Sequence, residues 1–444
     1  MSKTYTDYKD SKIEWVGIVP DNWKLTSVGK AYEIVLGKML QTTQLTPKNE
    51  LVSYLKAKNV QDGYLKTEKV DKMYASPREI RNLRILPGDL LVCEGGEVAR
   101  SVVIKNDLGK IIFQNSLHRV RSYQKNDITF LHYYLISLRK SGFVDILVNK
   151  ATIAHFTKDK FKALKIILPS FTEQKAIVKF LNKRTREIED LIADKETLIT
   201  LLQEKRQSII TEAVTKGLNS NVKMKDSGSE WLGQVPEHWI ITSLKNFWSV
   251  IDCKHVTAEF VDEGIPVASI REVQGRFVDL NNAKKTTKFY YDQLIEGGRK
   301  PIAGDLIFSR NATVGEVAQV APWHPAFAIG QDVCVIRKNK GDLSSEFLQY
   351  IIRSKVVIEQ LENLMVGATF KRVNVEDIRN LVIPMPPSQE QALISSFLEN
   401  KIGKINALIN EVYNTINLLK EYRQSLIYEA VTGKIDVRNF EVVS

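Results

Sequence analysis

Residues 14–23 read EWVGIVPDNW, and residues 230–239 read EWLGQVPEHW. Both spell Glu-Trp-x-Gly-x-Val-Pro-x-x-Trp, 216 positions apart in a chain of 444 residues. Further pairs follow at nearly the same offset. Ile85-Leu86-Pro87-Gly88-Asp89-Leu90-Leu91 returns as Pro301-Ile302-Ala303-Gly304-Asp305-Leu306-Ile307. Lys150-Ala151-Thr152 returns in shape as Gly367-Ala368-Thr369, and LPSFTEQKAIVKFLN (168–182) returns as MPPSQEQALISSFLE (385–399). RQSIITEAVTKG (206–217) returns as RQSLIYEAVTGK (423–434). Five markers in one order make the chain an internal duplication. Its period is far longer than the ~20–50 residues of a solenoid, so each copy is a complete module. Two such modules create pseudo-two-fold symmetry, which suits the local dyads of duplex DNA.

The second part of each copy reads as one long helix. No Pro or Gly falls between Pro169 and Gly217. Ile177, Leu181, Ile188, Leu191, Leu198, Leu202 and Ile209 recur at the coiled-coil period, and Ile394, Leu398, Ile402, Ile405, Leu408, Val412, Leu419, Tyr422 and Leu426 do so in the other copy. Pro169-Ser170 and Pro387-Ser388, with Glu173 and Glu390 in the first turns, mark the starts, and Gly217 and Gly433 mark the ends. A helix of this kind spans about 65 Å. Its apolar stripe needs a partner, and the nearest is the other helix, antiparallel if the copies keep two-fold symmetry. The remainder of each copy is rich in short strands such as LLVCE (90–94), SVVI (101–104), KIIF (110–113) and VCVIR (333–337). The expected class is α+β, with αβ modules at 1–168 and 218–386 and long helices at 169–217 and 387–444.

The net charge of +11 points to a polyanionic partner. Residues 172–217 carry 9 basic and 8 acidic side chains, and residues 389–434 carry 5 of each, so nearly all the excess lies outside the helices. The start MSKTYTDYKD does not read as a secretory leader, and no apolar run reaches the ~18 residues of a membrane span. Cys93, Cys253 and Cys334 form no CxxC pair, and Cys253 with His255 supplies only two ligands, too few for a metal site. A cytoplasmic, reducing setting is expected.

The Trp-Gly-Pro-Trp openings (Trp15, Gly17, Pro20, Trp23; Trp231, Gly233, Pro236, Trp239), the Ala-Thr motif before each proline-led helix and the twice-used EAVT ending resemble the DNA-specificity subunit of type I restriction-modification systems. The resemblance runs through nearly the whole chain. It implies two target-recognition domains, each reading one half of a split sequence in double-stranded DNA. It implies an intramolecular antiparallel coiled coil that spaces them and docks two modification (methyltransferase) subunits. Restriction/translocase subunits complete such complexes. S-adenosylmethionine, ATP and Mg belong to those partners, and this chain needs no cofactor and meets no membrane.

The sequence is consistent with a non-catalytic role. It holds no GxxxxGK[ST], no HExxH and no amino-methyltransferase tetrad; Met385-Pro386-Pro387-Ser388 has the wrong ends. Glu173-Gln174-Lys175 has the ExK form of nucleases, but its repeat, Glu390-Gln391-Ala392, lacks the lysine. A non-catalytic adaptor and a self-sufficient methyltransferase are the alternatives. Base readout needs Arg, Lys, Asn, Gln and their kind on turns near the paired motifs. The candidates are Arg100, Gln114, Asn115, His118, Thr152, His155 and Lys158 in the first copy. In the second they are Ser309, Arg310, Asn311, Thr313, Gln331, Thr369, Lys371 and Arg372. Outside the markers the copies diverge: Lys38–Met73 has little in common with Cys253–Tyr290, so one scaffold is expected to carry two surfaces.

Overall fold

A computed structural model describes residues 4–123, 125–144, 156–339, 342–365 and 372–440. The chain forms two compact units, one of residues 1–195 with 414–444 and the other of residues 196–413. Each is a mixed α+β body.

In the first unit, Tyr32–Leu36, Leu117–Ser122, Leu90–Cys93 and Ser101–Val103 form an antiparallel four-stranded sheet in that order. In the second, Trp248–Ile251, Val333–Lys338, Leu306–Ser309 and Val317–Gln319 form the same sheet. Each unit also joins a strand before its sheet to the strand that leads into a long helix: Lys24–Ser27 with Lys165–Leu168, and Ile240–Ser243 with Val382–Met385. The region that diverges in sequence repeats in fold as well. Tyr54 and Leu55 pair in parallel with Ile112 and Phe113, and Val267 and Ala268 do so with Ala328 and Ile329. A 3-10 turn follows each strand (Ala57–Asn59 and Ile270–Val273), closed by Lys66 N–H on Asn59 O and by Asp279 N–H on Glu272 O, both 2.8 Å. The offset there falls to 213, and such a shift hides the match from a comparison at 216.

The GD motif builds a buried fork in both units. Asp89 and Asp305 each accept a backbone N–H (Leu86, Ile302) at 2.8 Å. Arg121 grips Asp89 at 2.5 and 2.9 Å, and Arg337 grips Asp305 at 2.9 and 2.7 Å. Such a bidentate guanidinium–carboxylate pair fixes direction as well as charge.

The long helices run from Phe171 to Lys216 (46 residues) and from Ser388 to Val431 (44 residues). In the first unit, Arg423 donates to Glu189 and Phe440 meets Phe180 edge to face, so the rising and falling chains are antiparallel. In the second unit, Arg206 donates to Asn406, and Gly217 lies against Trp239 and Glu390, again antiparallel. The seam differs from the sequence expectation by one position in places. Ile192 and Ile199 are buried, while Leu191 and Leu198 are exposed; Ile409 and Ile416 are buried, while Leu408 and Tyr422 are exposed. At these positions two apolar rows are adjacent, and the isoleucine is the one packed inward.

Candidate nucleic-acid interface

The repeated motifs that could be mistaken for chemistry serve the scaffold. Glu173 is buried and accepts from Trp23 Nε1 at 3.1 Å and Tyr5 Oη at 2.7 Å; Glu390 accepts from Trp239 Nε1 at 3.1 Å. Gln174 and Gln391 each donate to a proline carbonyl, Pro169 and Pro386, at 2.9 Å. The ExK carboxylate therefore locks a helix start to a buried tryptophan. Asp252, Cys253 and His255 bring three ligand atoms within 4.8 Å of one another, a group like that of a metal site. The Arg310 guanidinium already lies 2.8 Å from Asp252 and 3.5 Å from Cys253 Sγ, where its charge opposes a metal ion. Burial pushes the Cys253 thiol up to about 11, so it is not a ready thiolate ligand.

Some of the predicted readers lie on one hairpin per unit: Arg100 in the first, and Arg310, Asn311 and Thr313 in the second. Residues 94–100 join two strands of the first sheet, and residues 310–316 join their equivalents. Each turn holds two left-handed residues at matching places: Gly96 (φ 73) and Ala99 (φ 62), then Ala312 (φ 57) and Gly315 (φ 93). Glycine and alanine have exchanged places while the backbone has not. A non-glycine residue there costs about 1–2 kcal/mol, so each hairpin holds its shape against that strain. Cys93 N–H to Arg100 O and Ser309 N–H to Glu316 O close the turns at 2.8 Å.

In the second unit Arg310 is the hub, only 3% exposed. Besides Asp252 and Cys253, it reaches Gln331 O at 3.4 Å, and its carbonyl accepts from Val373 N–H at 3.0 Å. Asn311 donates to Asp332 Oδ1 at 3.1 Å and bridges to Arg372 through the backbone. Ser309 is fully buried, bonded to Asn311 O and near Thr313 Oγ1. Thr313, Gln331 and Arg372 face solvent beside them. Ser309 and Arg310 therefore organise this surface from beneath, and Asn311, Thr313, Gln331 and Arg372 present it.

The first unit has the same arrangement with other side chains. Glu94 occupies the Arg310 position: its N–H bonds Ser116 O at 3.0 Å and its carbonyl accepts from Phe156 N–H at 2.7 Å. Arg100 is tied to Ala57 O at 2.9 Å and Glu97 at 3.1 Å. Gln114 and Asn115 lie half-buried beside Gly37 and Lys38, and Lys158 is half-buried at a helix start. Gly37 is required here, since a Cβ would stand 2.2 Å from Gln114 O. His118 corrects the sequence expectation. It is wholly buried, bonded to Phe156 O at 2.8 Å, and burial pushes its pKa down, so it is a neutral core residue. Thr152, His155, Thr369 and Lys371 lie outside the described residues. Sequence reading missed Asp252 and the two Asp–Arg forks. The forks were findable, because Arg121 and Arg337 stand 216 apart.

The family model for the type I restriction modification DNA specificity domain matches residues 20–200 and again 241–418. The chain belongs to that family. Among curated members, the putative type I restriction enzyme MjaX specificity subunit of Methanocaldococcus jannaschii is 23% identical, over 95% of this chain and 96% of its own. The EcoKI specificity subunit of Escherichia coli is 21% identical, over 94% and 90%. A chain solved in work on complex assembly and conformational transition of the type I R-M system superposes with a TM-score of 0.69 at 16% identity, covering 93% of this chain and 98% of that one. The HsdS subunit of Thermoanaerobacter tengcongensis does so at 0.52, also at 16% identity, covering 94% and 98%. These likenesses show a shared fold. Among the described residues no helix of this family member is long and apolar enough to cross a membrane.

Proposed function

We propose that the chain is the DNA-specificity subunit of a type I restriction-modification complex, itself without catalysis, and that it recognises a bipartite, asymmetric duplex target. The observation that carries this reading is one hairpin used twice with different side chains. Glu94 and Arg310 hold the same backbone position, as do Ser116 and Asp332, and Gly37 and Cys253. Identical frames that present different side chains, Glu97 and Asn115 in one unit against Thr313 and Gln331 in the other, suit two different half-sites.

The helices serve as the spacer, paired along their length as an antiparallel coiled coil. Supporting this, Arg206–Asn406 and Arg423–Glu189 are each other's equivalents at offset 217. Two modification subunits dock on the outer helix faces, where Leu191, Leu198, Leu201, Leu408, Leu418 and Tyr422 are exposed; uncovered aliphatic rows of this sort mark interfaces. S-adenosylmethionine, ATP and Mg act on the partners, including any restriction subunit.

Methylated adenines are to be mapped genome-wide in cells expressing this chain with its modification subunit, against cells lacking the chain. A split motif that disappears with the chain is expected. An unchanged map, together with no sequence-selective retention of random duplex by the purified complex, leaves the adaptor reading in its place.

A further inference from the structure

The first long helix carries cations along one face of its opening third. Lys175, Lys179, Lys183 and Arg186 follow at spacings of four, four and three, which keeps them within about 80° of one another around the axis. With Asp127, Val178, Asn182, Glu187 and Asp190 they line a shallow groove of about 680 Å³. Lys125 is exposed on the segment bonded to this helix start through Asn126 and Gln174, 3.3 Å apart. Lys179 and Arg186 form no ion pair among the described residues. Lys175 lies over the Phe171 ring at 4.5 Å, and Lys183 is 3.9 Å from Glu187.

The repeat supplies the comparison. At offset 217 the same face of the second long helix reads Ala392, Ser396, Asn400 and Gly403, and Lys125 becomes Asp342. Glu399 there is taken by Arg276. The two helices otherwise keep matched starts, so a face that is cationic in one copy and neutral in the other is not demanded by packing.

From this we infer that the Lys175–Arg186 face contacts the phosphate backbone of duplex DNA, on one side of the target only and without reading bases. The inference rests on the DNA-binding reading above. The cations stand about 6 Å apart along a straight helix, close to the pitch of phosphates on a strand. Among the described residues, the apolar side chains beside them, Val178, Phe171 and Phe440, are only part-exposed, with the two rings lying against Lys175 and Lys183. Protein interfaces are depleted in lysine and anchored by aromatic side chains, so an acidic protein surface fits this face less well.

The test uses the full-length chain, alone and assembled with its modification subunit, and a fluorescein-labelled 40-base-pair duplex without the target. Affinity is measured by anisotropy from about 50 to 300 mM salt. The triple variant K175Q/K179Q/R186Q is expected to lower the salt slope by between two and three, at about 0.9 per lost phosphate contact. It should leave the methylated motif unchanged. S396Q/N400Q, on the neutral face, should not alter the slope. An unaltered slope in the triple variant overturns the inference, including the case in which that variant loses its modification subunit instead. Failure of the unsubstituted chain to bind duplex in either form overturns the DNA-binding reading itself.

Discussion

Arg310→Met separates two roles for this arginine, buried hub and base reader. As placed, its side chain is 4% exposed and its charge is met by Asp252 at 2.8 Å, whose own side chain is 35% exposed. Removing one member of a fully buried pair costs about 3–5 kcal/mol. Asp252 keeps contact with water, which discounts the loss to about 2–3 kcal/mol. For a unit of this size, the residues 196–413 transition should fall by roughly 4–12 °C in Tm. Arg310→Lys keeps the charge but loses the fork, so it should fall by less. Asp252→Asn combined with Arg310→Met should cost less than the two single changes added, since each removes the same contact. Differential scanning calorimetry reads the stability, and methylation mapping reads the second half-site. Base preference should persist wherever the unit is folded. A normal Tm with a relaxed or lost second half-site refutes the hub role and makes Arg310 a direct reader.

Burial, with Lys105 and Arg139 nearby, holds His132 down at about 4, so it stays neutral against Ser101 at 2.9 Å. A depressed folded pKa means this stability is full above the unfolded value near 6.5 and is lost as pH falls toward 4, by roughly 3 kcal/mol; urea titrations at pH 7, 5 and 4 should show it, and His132→Gln, the residue at the equivalent Gln349, should flatten it. Gly433→Ala should destabilise far more than Gly217→Ala in thermal melts: both glycines have positive φ, but the new Cβ would stand 2.3 Å from Pro20 in the first case and 3.0 Å from the pliable Glu390 carboxylate in the second. Equal losses would show that backbone conformation alone governs both. Inserting one heptad into each long helix, after Lys195 and after Tyr413, should lengthen the spacer by about 10 Å, roughly three base pairs, with both half-sites unchanged; a target gap that stays constant removes the ruler.

The duplication was legible because its markers are buried contacts that tolerate little change. Trp23 and Trp239 meet Glu173 and Glu390, and the GD aspartates meet their arginines, so these letters persist in both copies. The two helices and the strands around residues 90–113 and 333–338 were legible from period and turns. The seam was legible only to within one position, because aliphatic residues occupy two neighbouring rows and spacing alone does not say which row faces inward. The turns chosen from sequence form matching hairpins in the two units, yet His118, Ser309 and Arg310 lie beneath the surface, since polarity in a sequence does not distinguish a solvated side chain from one satisfied inside.

The divergent stretches carry the stronger lesson about function. Between Lys38–Met73 and Cys253–Tyr290 little sequence is shared, while the parallel strand pairing and the closed 3-10 turn recur. A fold that survives such divergence is held by backbone pairing and general apolar burial, which many sequences satisfy. The side chains above it are then free to change without loss of the frame. The exchange of Gly96 and Ala99 for Ala312 and Gly315 shows the frame enduring even where the substitution is costly. Glu97 against Thr313 and Asn115 against Gln331 show the freedom, on the solvent side of that frame. Residues 94–100 are held by Ala57, Ser116 and Phe156, and residues 310–316 by Asp252, Asp332 and Val373. Each hairpin is thus set by contacts from its own module. A duplicated scaffold built this way can change one half of its target while the other half and the spacer stay as they are.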